Sequence, residues 1–262
     1  MQLSDLTVKI FADGADVDGI RAMSAQPWIK GFTTNPTLMR KAGISDYRSF
    51  ARDVLEVVGD RPVSFEVFAD DLEEMDRQAR EIASWGANVN VKIPVTNTRS
   101  QFAGPLINRL ARAGVAVNVT AVFTIDQVKA ITTQLVDDTP AIISIFAGRI
   151  ADTGADPVPV MREALRIMEA RPRAELLWAS PRELLNIVQA NDIGCHIITV
   201  TGDLLGKLPL LGRSHDDYSL ETVEMFHRDA VAAGYRIIPT GHAHSSVHPS
   251  PGGSVHPKES AP

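Results

Sequence analysis

Residues 89–120, VNVKIPVTNTRSQFAGPLINRLARAGVAVNVT, contain the pattern that decides the fold. An alternating run, VNVKIP at 89–94, precedes a segment with helical spacing at 99–113 and a second β-type run, VAVNVT at 115–120. Strand, helix and strand in this order predict two parallel strands joined by a crossover helix. The stretch therefore predicts one βαβ unit of an α/β protein.

The same unit repeats along the chain. Short runs rich in Val, Ile and Phe predict further strands at 8–12, 30–34, 63–68, 141–146, 175–180 and 195–200. Amphipathic segments predict helices at 45–58, 71–85, 124–136, 156–170 and 180–191, several of them opened by Ser, Asp or Thr. Eight strands without a Gly-rich nucleotide loop predict a single-domain (β/α)₈ TIM barrel over residues 1–238, rather than an open doubly wound sheet.

Composition limits the compartment and the partners. The chain has 262 residues, 44% of them hydrophobic, and a net charge of -6, which argues against nucleic acid or an anionic membrane as the main partner. Its single cysteine, Cys195, excludes an internal disulfide framework and predicts a small buried apolar side chain. No stretch reaches the ~18 apolar residues of a membrane span, and the N-terminus lacks the order of a signal peptide. We expect a cytoplasmic protein.

The last residues differ from the rest of the chain. Residues 239–262 are dense in Pro, Ser, Gly and His without apolar periodicity, which predicts a disordered tail. The tail contains four histidines, which could bind a stray divalent metal: His242, His244, His248 and His256. They have no Cys or carboxylate ligands around them, so a solvated tail is the favoured interpretation. GADVDG at 14–19 lacks the spacing of a dinucleotide loop, and we expect no nucleotide, flavin or metal cofactor.

Polar residues stand where the predicted strands end, which is where a barrel of this kind places its active site. These strand-end residues are Asp13, Thr33, Thr34, Asn35, Glu66, Lys92, Asn118, Thr120, Ser144, Arg149, Ser180 and Arg182. Each Asn or Thr taken singly is more often explained by a local hydrogen bond in a turn. The set as a whole predicts a polar site at one end of the barrel.

Lys92 is the unusual member because its neighbours Val91 and Ile93 belong to the opposite face of the strand. Its side chain should point into the barrel with Asn88 and Asn90. An amine in an apolar interior near other cations gives up its proton more readily and becomes a nucleophile toward carbonyls. The alternative, a buried ion pair with Glu66 or Asp13, explains the lysine equally well at this point.

The other groups suit the chemistry of a Schiff base. Proton transfers need carboxylates, and Asp13 and Glu66 are the candidates. The neutral side chains suit the hydroxyls of a polyol: Asn35, Asn118, Thr120 and Ser144. Arg149 and Arg182, with Ser180 beside them, follow the sixth and seventh strands, where a guanidinium can bind a phosphate. A single arginine in such a place more often forms a surface ion pair.

Several motifs together resemble the transaldolases, in the class I, Schiff-base-forming group that includes the fructose-6-phosphate aldolases. The resemblance covers roughly residues 8–235 and lies in FADGAD (11–16), GFTTNPTL (31–38), SFEVF (64–68), VKIPVT (91–96), NVTAVF (118–123), SIFAGRI (144–150) and WASPRE (178–183). It implies a barrel enzyme with sugar-phosphate substrates and a homo-oligomeric assembly.

The resemblance also implies roles for single residues. Lys92 would be the Schiff-base nucleophile, Asp13 the acid/base at the hydroxyl that loses its proton, and Glu66 with Thr120 would position the water for proton transfer. Asn35, Asn118 and Ser144 would hold the dihydroxyacetone unit. The phosphate would be bound by Arg149, Ser180 and Arg182, with Thr33 in the substrate shell.

Two positions separate the branches of the resembling group. Members of the aldolase branch carry glutamine where this chain has Glu66 and tyrosine where it has Phe146, so the resemblance favours a transaldolase. Its donor would be sedoheptulose 7-phosphate or fructose 6-phosphate, and its acceptor an aldose phosphate. Three alternatives stay open: a free aldolase, a transaldolase for an unusual sugar in a biosynthetic pathway, and a non-catalytic sugar-phosphate binder.

Overall fold

Eight parallel strands form a closed barrel in the computed structural model, which describes residues 2–237. In chain order the strands are β1 Lys9–Asp13, β2 Ile29–Thr33, β3 Val63–Glu66, β4 Val89–Pro94, β5 Val117–Val122, β6 Ala141–Ile145, β7 Ala174–Trp178 and β8 Ile197–Thr201. Each strand pairs with the next, and β8 pairs with β1. The predicted (β/α)₈ barrel is confirmed, and every predicted strand lies within a few residues of the observed one.

Helices follow the strands around the barrel. They are α1 Val17–Ser24, α2 Pro36–Lys41, α3 Tyr47–Val58, α4 Leu72–Ala83, α5 Gly104–Arg112, α6 Ile125–Gln134, α7 Ala147–Asp152, α8 Val158–Met168, α9 Leu185–Asp192, α10 Gly202–Leu205 and α11 His215–Ala232. Side-chain oxygens cap several of their first turns, as at Asp46, Asp71 and Thr124. None of the described helices has both the length and the apolar character needed to cross a membrane.

Two helices begin later than the sequence predicts. The segment predicted from residue 99 becomes α5 only at Gly104, because Ser100 has a φ of 60° and an isolated bridge joins Thr96 to Phe102. The segment predicted from residue 180 becomes α9 only at Leu185, because Ser180 has a φ of 58°. A left-handed φ interrupts right-handed helix, and the periodicity of apolar residues does not record it.

Apolar residues form two layers. Outward-facing strand residues such as Val91, Ile93 and Trp178 pack against the helices and are fully buried. A smaller cluster, which includes Phe11, Ile142 and Leu177, fills the inside of the barrel. The barrel interior is therefore a packed core below its mouth. Cys195 is buried as predicted, and burial raises the pKa of its thiol to about 12.

A glycine on β2 makes room for the ring inside the barrel. A Cβ built on Gly31 would lie 2.5 Å from Cζ of Phe11, too close for two carbons. Phe11 is 2% exposed and belongs to the inner cluster with Leu177 and Ala179, both of which also line the cavity described below. The Phe11 ring therefore packs beneath two residues of the cavity wall, and Gly31 leaves the space for it.

The chain divides into a barrel unit that ends at Gly212 and a second unit that begins at Arg213. Within the second unit, Ser214 caps α11, and the side chains of that helix are exposed or half-buried. Tyr218, Val223 and Phe226 are among its exposed apolar residues. The apolar residues at helical spacing in 220–234 predict that this helix covers the barrel or contacts a second subunit, and this contact stays a prediction. The predicted tail at 239–262, with its four histidines, lies outside the described residues.

Candidate active site

The polar strand ends converge on one cavity of about 430 Å³ at the barrel mouth, called here the central cavity. Its lining includes all but two of the residues predicted for the site: Asp13, Thr33, Asn35, Glu66, Lys92, Asn118, Thr120, Ser144, Phe146, Arg149 and Ser180. Thr34 and Arg182 are the exceptions. A TIM barrel brings these residues together because its strands are parallel and all end on the same rim.

The amine of Lys92 has two oxygen partners. Its Nζ is 3.1 Å from Oε2 of Glu66 and donates a hydrogen bond of 2.9 Å to the main-chain carbonyl of Thr34. The side chains of the ion pair are 8% and 18% exposed. Register places Glu66 opposite Lys92 on the neighbouring strand. The ion pair that the sequence left open is therefore present, at the edge of a cavity from which a ligand can reach the amine.

Asp13 is the second carboxylate of the central cavity, and its side chain is half-buried. Thr33 Oγ1 donates to its Oδ1 over 2.7 Å, and Asn35 Nδ2 donates a longer bond of 3.4 Å to Oδ2. Burial raises the pKa of the Asp13 carboxyl above its ordinary value of 3.8, and the charge of Lys92 and these hydrogen bonds offset only part of that effect. The carboxyl can thus bind a proton at a higher pH than an exposed aspartate.

The TTNP motif is explained by the first turn of α2. Asn35 is the N-cap residue: its Oδ1 accepts a bond of 2.9 Å from the main-chain N–H of Leu38, and Pro36 occupies the first helical position. The cap fixes the side-chain amide so that Nδ2 points to Asp13. Asn35 therefore caps α2 with its amide oxygen and contacts a cavity carboxylate with its amide nitrogen.

Asn118 and Ser144 form a buried hydrogen-bonded chain across three strands. Ser144 Oγ donates to Asn118 Oδ1 over 2.7 Å, and Asn118 Nδ2 donates to Ser64 Oγ over 3.1 Å. Each of these side chains is 2% exposed or less. The chain holds the Asn118 amide in one orientation, with its second N–H available to a ligand in the central cavity.

Thr120 has a buried hydroxyl that finds no hydrogen-bond partner among residues 2–237. The next residue, Ala121, has a φ of 58°, and the pairing of β5 with β6 shifts register between Val119 and Val122. Both Thr120 and Ala121 line the central cavity. A buried hydroxyl without a partner is costly, so the site favours a ligand that hydrogen-bonds Thr120.

The two arginines lie in different settings. Arg149 lines the central cavity, and its guanidinium carbon is 5.2 Å from the centre of the Phe146 ring. The guanidinium of Arg182 instead makes a two-pronged ion pair with Asp152, with a 2.9 Å bond from Nε to Oδ1. Both side chains of that pair are about half exposed, at 47% and 50%. Arg182 is near the rim but turned to Asp152, and its role at the phosphate stays a prediction.

Close packing of main chain joins the two arginine segments. A Cβ built on Gly148 would lie 1.5 Å from the carbonyl oxygen of Ser180, and the Gly148 N–H donates to the carbonyl of Ala179. Ser180 itself has a left-handed φ of 58°. Only glycine allows α7 to approach the segment after β7 this closely.

Replacing Gly148 by alanine is expected to lower the free energy of unfolding by about 2 kcal/mol or more, because main chain has to move to admit the methyl group. Chemical denaturation measures the change. Gly202→Ala is the matched control, since a Cβ on Gly202 meets nothing within 4 Å. Equal stability of the two variants would contradict the close packing.

Some residues of the site were not singled out from the sequence. Thr199 lines the cavity and shares a hydrogen bond with Thr33, and Leu177 and Ala179 form part of the wall. Thr199 lies inside a predicted strand with inward parity, so alternation could have found it. Asn88, expected beside the amine, instead donates to the carbonyls of Gly59 and Arg61, before β4 begins.

The fold and site define a class: a parallel (β/α)₈ barrel with a lysine–carboxylate pair in the cavity at its mouth. The family model described as Transaldolase/Fructose-6-phosphate aldolase matches residues 10–237. The chain belongs to this family.

Individual relatives agree with the family match. The chain is 36% identical over 202 residues to a "Probable transaldolase" of Dehalococcoides mccartyi, covering 77% of this chain and 90% of the relative. It is 33% identical over 234 residues to a "Probable transaldolase" of Thermoanaerobacter sp., covering 88% of this chain and all of the relative. The solved structure of 2,3-dimethylmalate lyase, 12% identical with a TM-score of 0.50, covers 92% of this chain and 89% of its own, and shows likeness of fold alone.

Proposed function

We propose that the protein is a transaldolase that transfers a dihydroxyacetone unit from a ketose phosphate to an aldose phosphate through a Schiff base on Lys92. The observation that carries this proposal is the position of Lys92 Nζ, 3.1 Å from Glu66 and at the edge of a cavity that Asp13 also lines. A primary amine with carboxylates in reach is the equipment that covalent catalysis on a ketone requires.

The reaction begins at the carbonyl of the donor sugar. Nζ of Lys92, as the free amine, adds to C2 of the ketose, and loss of water from the resulting carbinolamine gives an iminium ion. Glu66 is the nearest carboxylate to the amine and takes up or returns the protons of these steps, with Thr120 offering its free hydroxyl to the water that carries them. The iminium ion is the electron sink for the cleavage that follows.

Asp13 acts in the cleavage step. Its carboxylate removes the proton of the C4 hydroxyl, the C3–C4 bond breaks, and an aldehyde leaves while the three-carbon unit stays on Lys92 as an enamine. The enamine carbon then attacks the acceptor aldehyde, which gives a new iminium ion, and Asp13 returns the proton to the new alkoxide. Water then hydrolyses this iminium ion and releases the ketose product and the amine of Lys92. A carboxyl whose pKa is raised by burial suits both directions of this exchange.

In this proposal, neutral side chains bind the hydroxyls of the sugar and a cationic side chain binds its phosphate. Asn35, Asn118 and Ser144 are placed to hold the hydroxyls of the three-carbon unit, because their amides and hydroxyl line the cavity in fixed orientations. Arg149 is the arginine on the cavity wall and is the first candidate for the phosphate. Arg182 would reach a phosphate only by giving up Asp152.

Borohydride trapping tests the covalent step. Fructose 6-phosphate and sodium borohydride should give a reduced adduct of the protein that peptide mass spectrometry places on Lys92. Absence of an adduct would leave a non-catalytic sugar-phosphate binder as the better description. Cleavage measured with and without erythrose 4-phosphate separates transferase from aldolase: the transferase needs the acceptor, and equal rates would favour the aldolase.

Arg149→Ala is expected to raise the KM for fructose 6-phosphate about tenfold, because an exposed charge-assisted bond to phosphate is worth about 1.4 kcal/mol. Arg182→Ala should raise it less than threefold, since its guanidinium is engaged by Asp152. Steady-state kinetics with unphosphorylated fructose is the control, and neither variant should change that reaction. A larger effect of Arg182→Ala would show that Arg182 is the main phosphate ligand.

A cytoplasmic location, a homo-oligomeric assembly and the absence of nucleic-acid and membrane partners stay predictions. So does the choice between a general donor sugar and an unusual one.

A further inference from the structure

Tyr47, the first residue of α3, contacts the backbone of a cavity residue from outside the barrel. Its hydroxyl accepts a 2.8 Å hydrogen bond from the main-chain N–H of Glu66 and donates a 3.1 Å bond to the carbonyl of the same residue. One phenol thus satisfies both main-chain groups of Glu66. The Glu66 side chain carries the carboxylate that pairs with Lys92.

These two main-chain groups need a partner because of the way β3 meets β2. The N–H and C=O of one strand residue point to the same side, and this side alternates along the strand. Val67 N–H donates toward β4, to the carbonyl of Lys92, so the groups of Glu66 face β2. The register of β2 with β3 ends at Thr33 opposite Ser64. Tyr47 takes the place that another residue of β2 would fill.

The second partner of Lys92 lies at the same seam between β2 and β3. Thr34 supplies the carbonyl that accepts from Nζ, and its own N–H and hydroxyl both donate to the carbonyl of Ser64, over 3.2 and 3.1 Å. Both groups that hold the amine therefore come from the end of this seam. The hydroxyl of Tyr47 forms hydrogen bonds with the β3 side of this seam, at the main chain of Glu66.

The phenol itself is held firmly and stays neutral. Its ring packs on Phe68, Trp85 and Phe65, with centroid distances of 4.6, 5.3 and 6.0 Å. Burial raises the pKa of the Tyr47 hydroxyl, so the group keeps the proton that it donates to the Glu66 carbonyl.

We infer that Tyr47 is a positioning residue, which holds the end of β3 so that the carboxylate of Glu66 stays against Lys92 during imine formation. The inference rests on the proposed function, because it concerns the same amine. Tyr47 touches neither substrate nor the reacting atoms in this assignment. Its effect should therefore appear in the rate of the covalent step and not in the affinity for the sugar phosphate.

Tyr47→Phe removes the hydroxyl and keeps the ring. Single-turnover trapping with fructose 6-phosphate and borohydride, followed by intact-protein mass, gives both the rate of adduct formation and the final fraction modified. We expect the rate to fall about tenfold, because two main-chain groups lose their partner and a small displacement of a catalytic group is costly. The final fraction modified and the KM should stay within twofold of the parent protein.

Thr139→Val is the matched control, because it removes another buried hydroxyl that donates to a carbonyl, that of Ala111, ahead of β6 at the opposite end of the barrel. It should leave the trapping rate unchanged. If Tyr47→Phe forms the adduct at the rate of the parent protein, the inference is overturned. A lower final fraction of modified protein at an unchanged rate would also overturn it, because that result indicates only loss of folded protein. If the proposed function is wrong, the parent protein itself will give no adduct. That result would refute both the Schiff-base reaction on Lys92 and the positioning role of Tyr47.

Discussion

Lys92→Met is expected to reduce ketose cleavage by at least about 10⁴-fold, the scale of loss when a covalent nucleophile is removed. Methionine is unbranched and only one atom shorter than lysine, but it has no amine to add to the carbonyl. Borohydride should then give no adduct with fructose 6-phosphate. Cleavage rates and intact-protein mass check both outcomes, and Lys129→Met is the control that should retain activity, because the Lys129 side chain on α6 is exposed.

The same substitution leaves Glu66 without its cation, so loss of folding has to be separated from loss of chemistry. Removing one partner of a buried ion pair is destabilising, here by no more than about 3 kcal/mol because the pair opens on a cavity. The double variant Lys92→Met/Glu66→Gln should recover stability without recovering activity. Substantial cleavage by either folded variant would refute the Schiff-base proposal.

Asp13→Asn should reduce cleavage about 10²- to 10⁴-fold while leaving the adduct on Lys92 able to form. The amide can still accept a hydrogen bond from Thr33, but it cannot take the hydroxyl proton during cleavage. Trapping with fructose 6-phosphate and the rate of aldehyde release are the two measurements. Loss of trapping together with loss of cleavage would move the role of Asp13 to imine formation.

Asp13→Asn should also change how stability depends on pH. Because burial raises the pKa of Asp13, the folded state binds this proton more tightly than the unfolded chain. The stabilisation is full below the ordinary value of 3.8 and is lost as pH rises through the raised pKa. Asparagine carries no charge and avoids that loss.

The Tm of Asp13→Asn relative to the parent protein should therefore increase from about pH 4 to about pH 7. Thermal unfolding at several pH values measures this difference. In the parent enzyme, the acid limb of kcat/KM should lie above the pH at which an exposed aspartate titrates. A Tm difference that stays constant or falls with pH would mean that the charge of Lys92 outweighs the burial of Asp13.

The number of predicted strands, their separation by helices and the absence of a Gly-rich nucleotide loop predicted the barrel and the position of its mouth. VNVKIP and VAVNVT have the periodicity of strands and are separated by a helix, and repetition of that unit leaves few closed arrangements. Once the strands are parallel, their last residues share a rim, so Asp13, Glu66 and Lys92 could be expected together. This much depends on local pattern and on connectivity, which the sequence records directly.

The resemblance to the transaldolases added the roles that spacing could not supply. Parity places Lys92 and Asn118 on the inner face, but a pattern of residues cannot tell a nucleophile from an ion-pair partner. The structure contains the ion pair and the open cavity at once, so the ion pair does not exclude a nucleophilic lysine.

Side-chain partners were decided only by the tertiary structure. The ion pair of Arg182 with Asp152 and the hydrogen bond of Tyr47 with Glu66 join segments that are distant in the chain. The lack of a partner for the Thr120 hydroxyl depends on the backbone angles next to it. Periodicity reports which face of an element is buried, because burial is an average over many contacts. It does not report which donor meets which acceptor, because that depends on the close packing of segments such as Gly148 against Ser180.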